Sequence, residues 1–138
     1  MQYRSIALTL TTSLALLAGG CSMVNTAPTQ AVSLLEPANG ATVTSPFKVR
    51  FGIQGMAVAP AGDVVAASGH HHLLINQEPV PIGTVVPFTP QHLHFGKGQT
   101  EADVTLPAGT YKLTAQFANG AHQSYGPAMS QTITVTVK

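Results

Sequence analysis

Charge, cysteine and tryptophan are all scarce in this chain. Asp, Glu, Lys and Arg make up 8% of its 138 residues, Cys occurs once and Trp not at all. Beyond the first twenty residues Lys48, Arg50, Lys97, Lys112 and Lys138 stand against Glu36, Asp63, Glu78, Glu101 and Asp103. No basic stripe exists for a phosphate backbone to lie on, which excludes nucleic acid as a partner. Carboxylates this few and this scattered do not build a calcium cage. One cysteine allows no disulfide within the chain and no thiolate-rich zinc site. No nucleophile–base pair or phosphate-cradling loop is recognisable, so the chain is not expected to be an enzyme. The length suits one domain and not two.

The first twenty residues carry Arg4 and a mildly apolar stretch from Ile6 to Ala18. That stretch is too short and too rich in Thr for a membrane span and reads as an export signal. Leu17-Ala18-Gly19-Gly20-Cys21 resembles a bacterial lipobox, with Ala18 where the pattern prefers Leu. The resemblance implies that Cys21 becomes a diacylated N-terminus, which accounts for a lone thiol in an exported protein. Ser22 follows where an Asp would mark retention, as in lipoproteins forwarded to the outer membrane. The expected organisation is a signal peptide over 1–20, a lipidated N-terminus and polar tether over 21–30, and one domain over 31–138. The expected location is the cell envelope, on the periplasmic face of the outer membrane.

From Ala31 onward the hydrophobic pattern has a period of two, punctuated by Gly, Pro and Asn. Phe47, Val49, Phe51 and Ile53 alternate with Lys48 and Arg50, so one face of that strand should meet a core and the other water. Further strands are expected over Val32–Leu35, His71–Asn76, His92–Phe95, Thr100–Leu106, Tyr111–Ala118 and Gln131–Val137. About seven short strands in a domain of this size are the count of an immunoglobulin-like β-sandwich, a small up-and-down barrel being the alternative. Leu106-Pro107-Ala108-Gly109-Thr110-Tyr111 resembles the tyrosine corner that opens the penultimate strand of such domains. Without a cysteine pair, an all-β fold of this kind must be held by its core and ladders alone.

The histidines are what a sandwich does not need. All six, His70, His71, His72, His92, His94 and His122, fall between positions 70 and 122. Along a strand His70 and His72 share one face while His71 shares the other with Leu73 and Ile75. His92 and His94 repeat the same spacing. Two such pairs on neighbouring strands would bring four imidazoles within reach of one ion, with His122 as a further ligand. His71, on the apolar parity, is assigned to packing. Met56, Met129, Tyr125 and Glu101 are weaker candidates.

Gly55–Gly62, Gly69–Ile75, Gln91–Glu101, Leu106–Gly109 and Met129–Val135 together resemble the bacterial DUF4399 family of small exported proteins, over roughly Gly55 to the end. The resemblance implies an exported immunoglobulin-like domain with a His-rich face and no assigned activity. The family pattern has a further His downstream of His122 where this chain has Ser124-Tyr125. His92-Leu93-His94-Phe95-Gly96 also resembles the His-x-His strand of copper–zinc superoxide dismutases, whose metal-ligating Asp and disulfide cannot be assembled here.

Imidazole ligands favour Cu(II), Zn and Ni, and the Irving–Williams order places copper first and zinc second. The expected function is therefore metal binding or handling by an envelope lipoprotein. The alternative is an interaction or envelope-structural module whose histidines form a hydrogen-bonded network without metal.

Overall fold

The computed structural model describes residues 29–138; the expected signal peptide, Cys21 and the expected tether up to residue 28 lie outside the described residues. Nine strands follow one another: β1 (Ala31–Glu36), β2 (Thr42–Val43), β3 (Phe47–Gln54), β4 (Ala57–Val58), β5 (Ser68–Ile75), β6 (His92–His94), β7 (Glu101–Val104), β8 (Gly109–Ala118) and β9 (Ser130–Val137). All seven strands expected from periodicity are present; β2 and β4, of two residues each, are too short to leave a periodic mark. One sheet has the order β1-β3-β7 and the other β2-β9-β8-β5-β4, with β6 pairing β5 on the same edge as β4. No ladder joins the two sheets among the described residues, so the fold is an immunoglobulin-like sandwich and not a closed barrel.

The core lies between the sheets. Phe47, Val49 and Phe51 of β3 meet Leu73 and Ile75 of β5, Leu113 and Phe117 of β8, and Ile133 and Val135 of β9. The outward residues of β3 make exposed ion pairs, Lys48 with Glu101 at 3.2 Å and Arg50 with Glu36 at 3.1 Å. Pairs this exposed add little stability, and their effect is to keep this sheet's outer face wet. The Tyr111 hydroxyl donates to the Pro107 carbonyl at 3.0 Å, closing the corner that its sequence context resembles.

β5 departs from alternation, being buried at all eight positions. His71, Leu73 and Ile75 face the core, while His70, His72 and Leu74 face the outside of the larger sheet. That outer face is roofed by two loops, residues 76–91 and 119–126. Leu74, Val80, Val86 and Ala118 form a second small core beneath them. Buried polar side chains fasten the roof: Gln116 accepts from the Val80 N–H at 3.0 Å and donates to the Gly126 and Met129 carbonyls, each at 3.1 Å. The Ser124 hydroxyl donates to the Val80 carbonyl at 2.9 Å. Both loops therefore sit on the strand face that carries His70 and His72.

Candidate metal centre

Three elements supply the histidines. β5 carries His70 and His72 two residues apart on the outer face. β6 pairs antiparallel with β5, placing His94 opposite His72 and His92 opposite Leu74. The tight turn after β8 brings in His122, whose backbone sits in the left-handed region at φ 65°. That region is unfavourable for a residue with a side chain and persists where the surroundings hold it. Here the Asn119 carboxamide oxygen accepts from the Ala121 and Gln123 N–H groups at 3.0 and 2.9 Å, and the His122 carbonyl accepts from the Val86 N–H at 2.9 Å.

The ring nitrogens converge. His72 Nε2 lies 3.0 Å from His70 Nε2, His70 Nε2 lies 3.2 Å from His94 Nε2, and His94 Nε2 lies 3.1 Å from His122 Nε2. His70, His94 and His122 each offer a nitrogen within 4.8 Å of the others, close enough to hold a metal ion. His72 joins this triad through His70. An ion with bonds of about 2.05 Å holds two imidazole nitrogens about 3.3 Å apart in a tetrahedron and about 2.9 Å apart in a square, and the contacts fall between these. Five of the six ring-to-ring separations are 4.7–5.1 Å, and only His72–His122 reaches 6.0 Å. The four ring centres thus form a near-tetrahedron with one edge stretched.

Hydrogen bonding alone does not account for all three contacts. Each Nε2 has one in-plane orbital, which either carries a proton or accepts one. The contacts run in a chain, so two N–H···N bonds, His72 with His70 and His94 with His122, can pair all four nitrogens, and the 3.2 Å approach of His70 to His94 is then not itself a hydrogen bond. A cation held by His70, His94 and His122 would account for that approach. Nδ1 of His70 and of His72 are buried without a partner, a cost that an ion at Nε2 leaves in place.

Protonation points the same way. Burial, reinforced by the neighbouring imidazoles, lowers His70 to about 4 and His72 to about 2. Burial and then His122 lower His94. His70 and His72 are therefore neutral near pH 7, the form that binds a metal. Gly96 makes room for the third ligand, because a Cβ there would overlap the His94 ring at Cε1 and Nε2.

His92 stands apart from the convergence: its Nδ1 lies 2.7 Å from the Thr89 hydroxyl. His71 stacks on Phe51 at 4.8 Å and meets Phe117 edge-on at 5.0 Å, with neither ring nitrogen bonded. The weaker candidates are engaged elsewhere. Met129 is buried in the main core, Met56 packs on it, Glu101 pairs with Lys48, and the Tyr125 hydroxyl donates to the Ser68 carbonyl at 2.7 Å. Ser124 and Tyr125 thus fasten the roof and the start of β5.

Phe88 had no signal in the sequence. It lies in an irregular run with Pro at 79, 81, 87 and 90, yet its ring sits 5.0 Å from His122 and 5.6 Å from His94 while remaining 66% exposed. Asn119-Gly120 does mark a turn in the sequence, and with it the sharp bend that aims His122 back at β5.

No curated protein and no solved structure is significantly similar to this chain. The DUF4399 family, described as a domain of unknown function, matches residues 49–138, which span β5, β6, the turn with His122 and both roofing loops. The chain belongs to the DUF4399 family.

Proposed function

We propose that this protein is an envelope lipoprotein, anchored through Cys21, whose His70, His72, His94 and His122 bind a transition-metal ion for metal binding or handling. The observation that carries the reading is the chain of three Nε2 contacts at 3.0–3.2 Å, one more than hydrogen bonds between neutral imidazoles can satisfy. A metal-free histidine network can pair the four nitrogens in two hydrogen bonds but gives no account of the 3.2 Å approach of His70 to His94, which favours an ion at this point.

Copper is the first choice and zinc the second. The donors are all imidazole, which suits both ions, and at equal supply Cu(II) binds such ligands more tightly. Nitrogen separations between those of a tetrahedron and a square suit an ion that accepts a distorted geometry. The test is equilibrium titration of the untagged protein with Cu(II) and Zn(II), together with the metal content of protein purified without a His tag. One ion bound saturably, with copper displacing zinc, is the expected result. No saturable binding of either ion would overturn the reading in favour of the structural module.

A further inference from the structure

Exposed apolar side chains are concentrated beside the histidine cluster. Among the described residues six large apolar side chains are exposed, and all but Leu35 lie on two loops: Val64 and Val65 on residues 59–67, and Ile82, Val85 and Phe88 on the roofing loop 76–91. Backbone hydrogen bonds set these loops on either side of the His122 turn. The Gly62 N–H donates to the Gly120 carbonyl at 2.9 Å, and on the other flank Val86 and Gly83 donate to the His122 and Ser124 carbonyls at 2.9 and 2.8 Å.

The same region is nearly free of charge. No Asp, Glu, Lys or Arg occurs at 79–96 or 113–137, and Asp63 is the single one between residues 52 and 77. Four of the five ion contacts lie on the outer face of the other sheet; the fifth, Lys112 with Glu78 at 3.7 Å, sits at the start of loop 76–91. Isolated exposed valines would need no explanation, but a face with so few charges carrying most of the exposed apolar groups does.

The chain's own N-terminus indicates what covers this face. Thr29 and Gln30 lie against Gly55, directly before β4 and the loop that bears Val64 and Val65. Thr29 lies eight positions after Cys21, so the tether reaches at most about 28 Å. Acyl chains on Cys21 would therefore hold this end of the sandwich against the bilayer, and a surface with few charges loses least when it enters the headgroup region.

We propose that the face formed by loops 59–67 and 76–91 docks on the lipid bilayer, so that the metal site opens toward the membrane surface. This rests on the lipid anchor proposed above and is independent of whether a metal binds. The absence of Trp from the sequence makes a clean test possible. Single-Trp variants Val64→Trp, Ile82→Trp and Leu35→Trp of the processed, full-length lipoprotein are placed in vesicles of phosphatidylethanolamine and phosphatidylglycerol containing a doxyl-labelled lipid. Leu35 is the control, equally apolar and 55% exposed but on the charged sheet.

Val64→Trp and Ile82→Trp should be quenched several-fold more than Leu35→Trp, with blue-shifted emission. Equal quenching of all three, or quenching of none while the protein floats with the vesicles, overturns the docking and leaves the anchor standing; a protein partner then becomes the occupant of this face. Failure to float overturns the anchor and the docking together; flotation of a Cys21→Ala variant as well as the wild type overturns the anchor, and the quenching pattern then decides the docking alone. Copper titration of the same variants reports on the metal site separately.

Discussion

Gly96→Ala separates the geometry of the proposed centre from its inventory of ligands. The substitution removes no donor. Gly96 is not in the left-handed region, so alanine fits its backbone, but the added Cβ would overlap the His94 ring and sit 3.2 Å from Ala61 Cβ. His94 lies on the open side of the cluster, so its ring can swing toward solvent at little cost to the fold. Removing a group that orients a metal ligand typically weakens affinity by about 10- to 100-fold, or about 1.4 to 2.8 kcal/mol. At a fixed excess of copper, the rise in melting temperature should shrink by on the order of 5 to 10 °C while the metal-free melting temperature changes much less. The assays are chelator competition for affinity and thermal unfolding with and without Cu(II). Wild-type affinity in Gly96→Ala would refute the assignment of His94 as a ligand. A collapse of the metal-free melting temperature would show instead that Gly96 serves the fold and not the site.

The His70→Gln/His72→Gln double variant should lose copper binding and the copper-induced melting shift, whereas His92→Gln, which alters only the contact with Thr89, should bind as the wild type does; titration of both proteins separates the two roles. Tyr111→Phe should cost about 0.5 to 1 kcal/mol in urea unfolding, the lower part of the range for one hydrogen bond, because the corner is open to solvent. Metal-free protein should weaken in acid. His70 and His71 are held at about 4 in the folded state and return to 6.5 when unfolded, so the unfolded chain binds more protons and stability falls as pH drops from 6.5 toward 4. By pH 5 each would contribute a loss of about 2 kcal/mol, visible as a lower urea midpoint with an unchanged slope; equal midpoints at pH 7.5 and pH 5 would contradict buried neutral histidines.

Much of the fold was legible because period two is a local property. The alternation of β3 and β9 maps directly onto their buried and exposed faces. The strand that carries the site was harder to read, since β5 is covered on both sides and its burial has no period. Parity nevertheless separated His70 and His72 from His71. The His92/His94 pair was divided by register. In the β5–β6 ladder His94 stands across from His72 while His92 falls two residues further along, across from Leu74, where Thr89 binds it. Register arises from pairing between distant segments, and spacing within either strand does not contain it. His122 was visible as a histidine near a turn, but its approach to His94 depends on the left-handed bend and on the loop that fastens it.

The triplet at the start of β5 ties the core and the candidate centre to one register. A slip of one residue would turn His70 and His72 inward against Phe51 and Phe117, and would turn Leu73 and Ile75 out toward the roofing loops. The core would exchange His71, Leu73 and Ile75 for His70, His72 and Leu74, a net loss of one aliphatic side chain worth about 2 kcal/mol and a net gain of one imidazole without a hydrogen bond. Gly69 reinforces the correct pairing, because a Cβ at that position would overlap the Ala118 carbonyl. Any residue with a side chain brought to this point by a slip would force β5 away from β8. The interactions that select the register of the sandwich are thus the same ones that turn His70 and His72 toward His94 and His122, so the geometry of the candidate centre is set by the folding of the core.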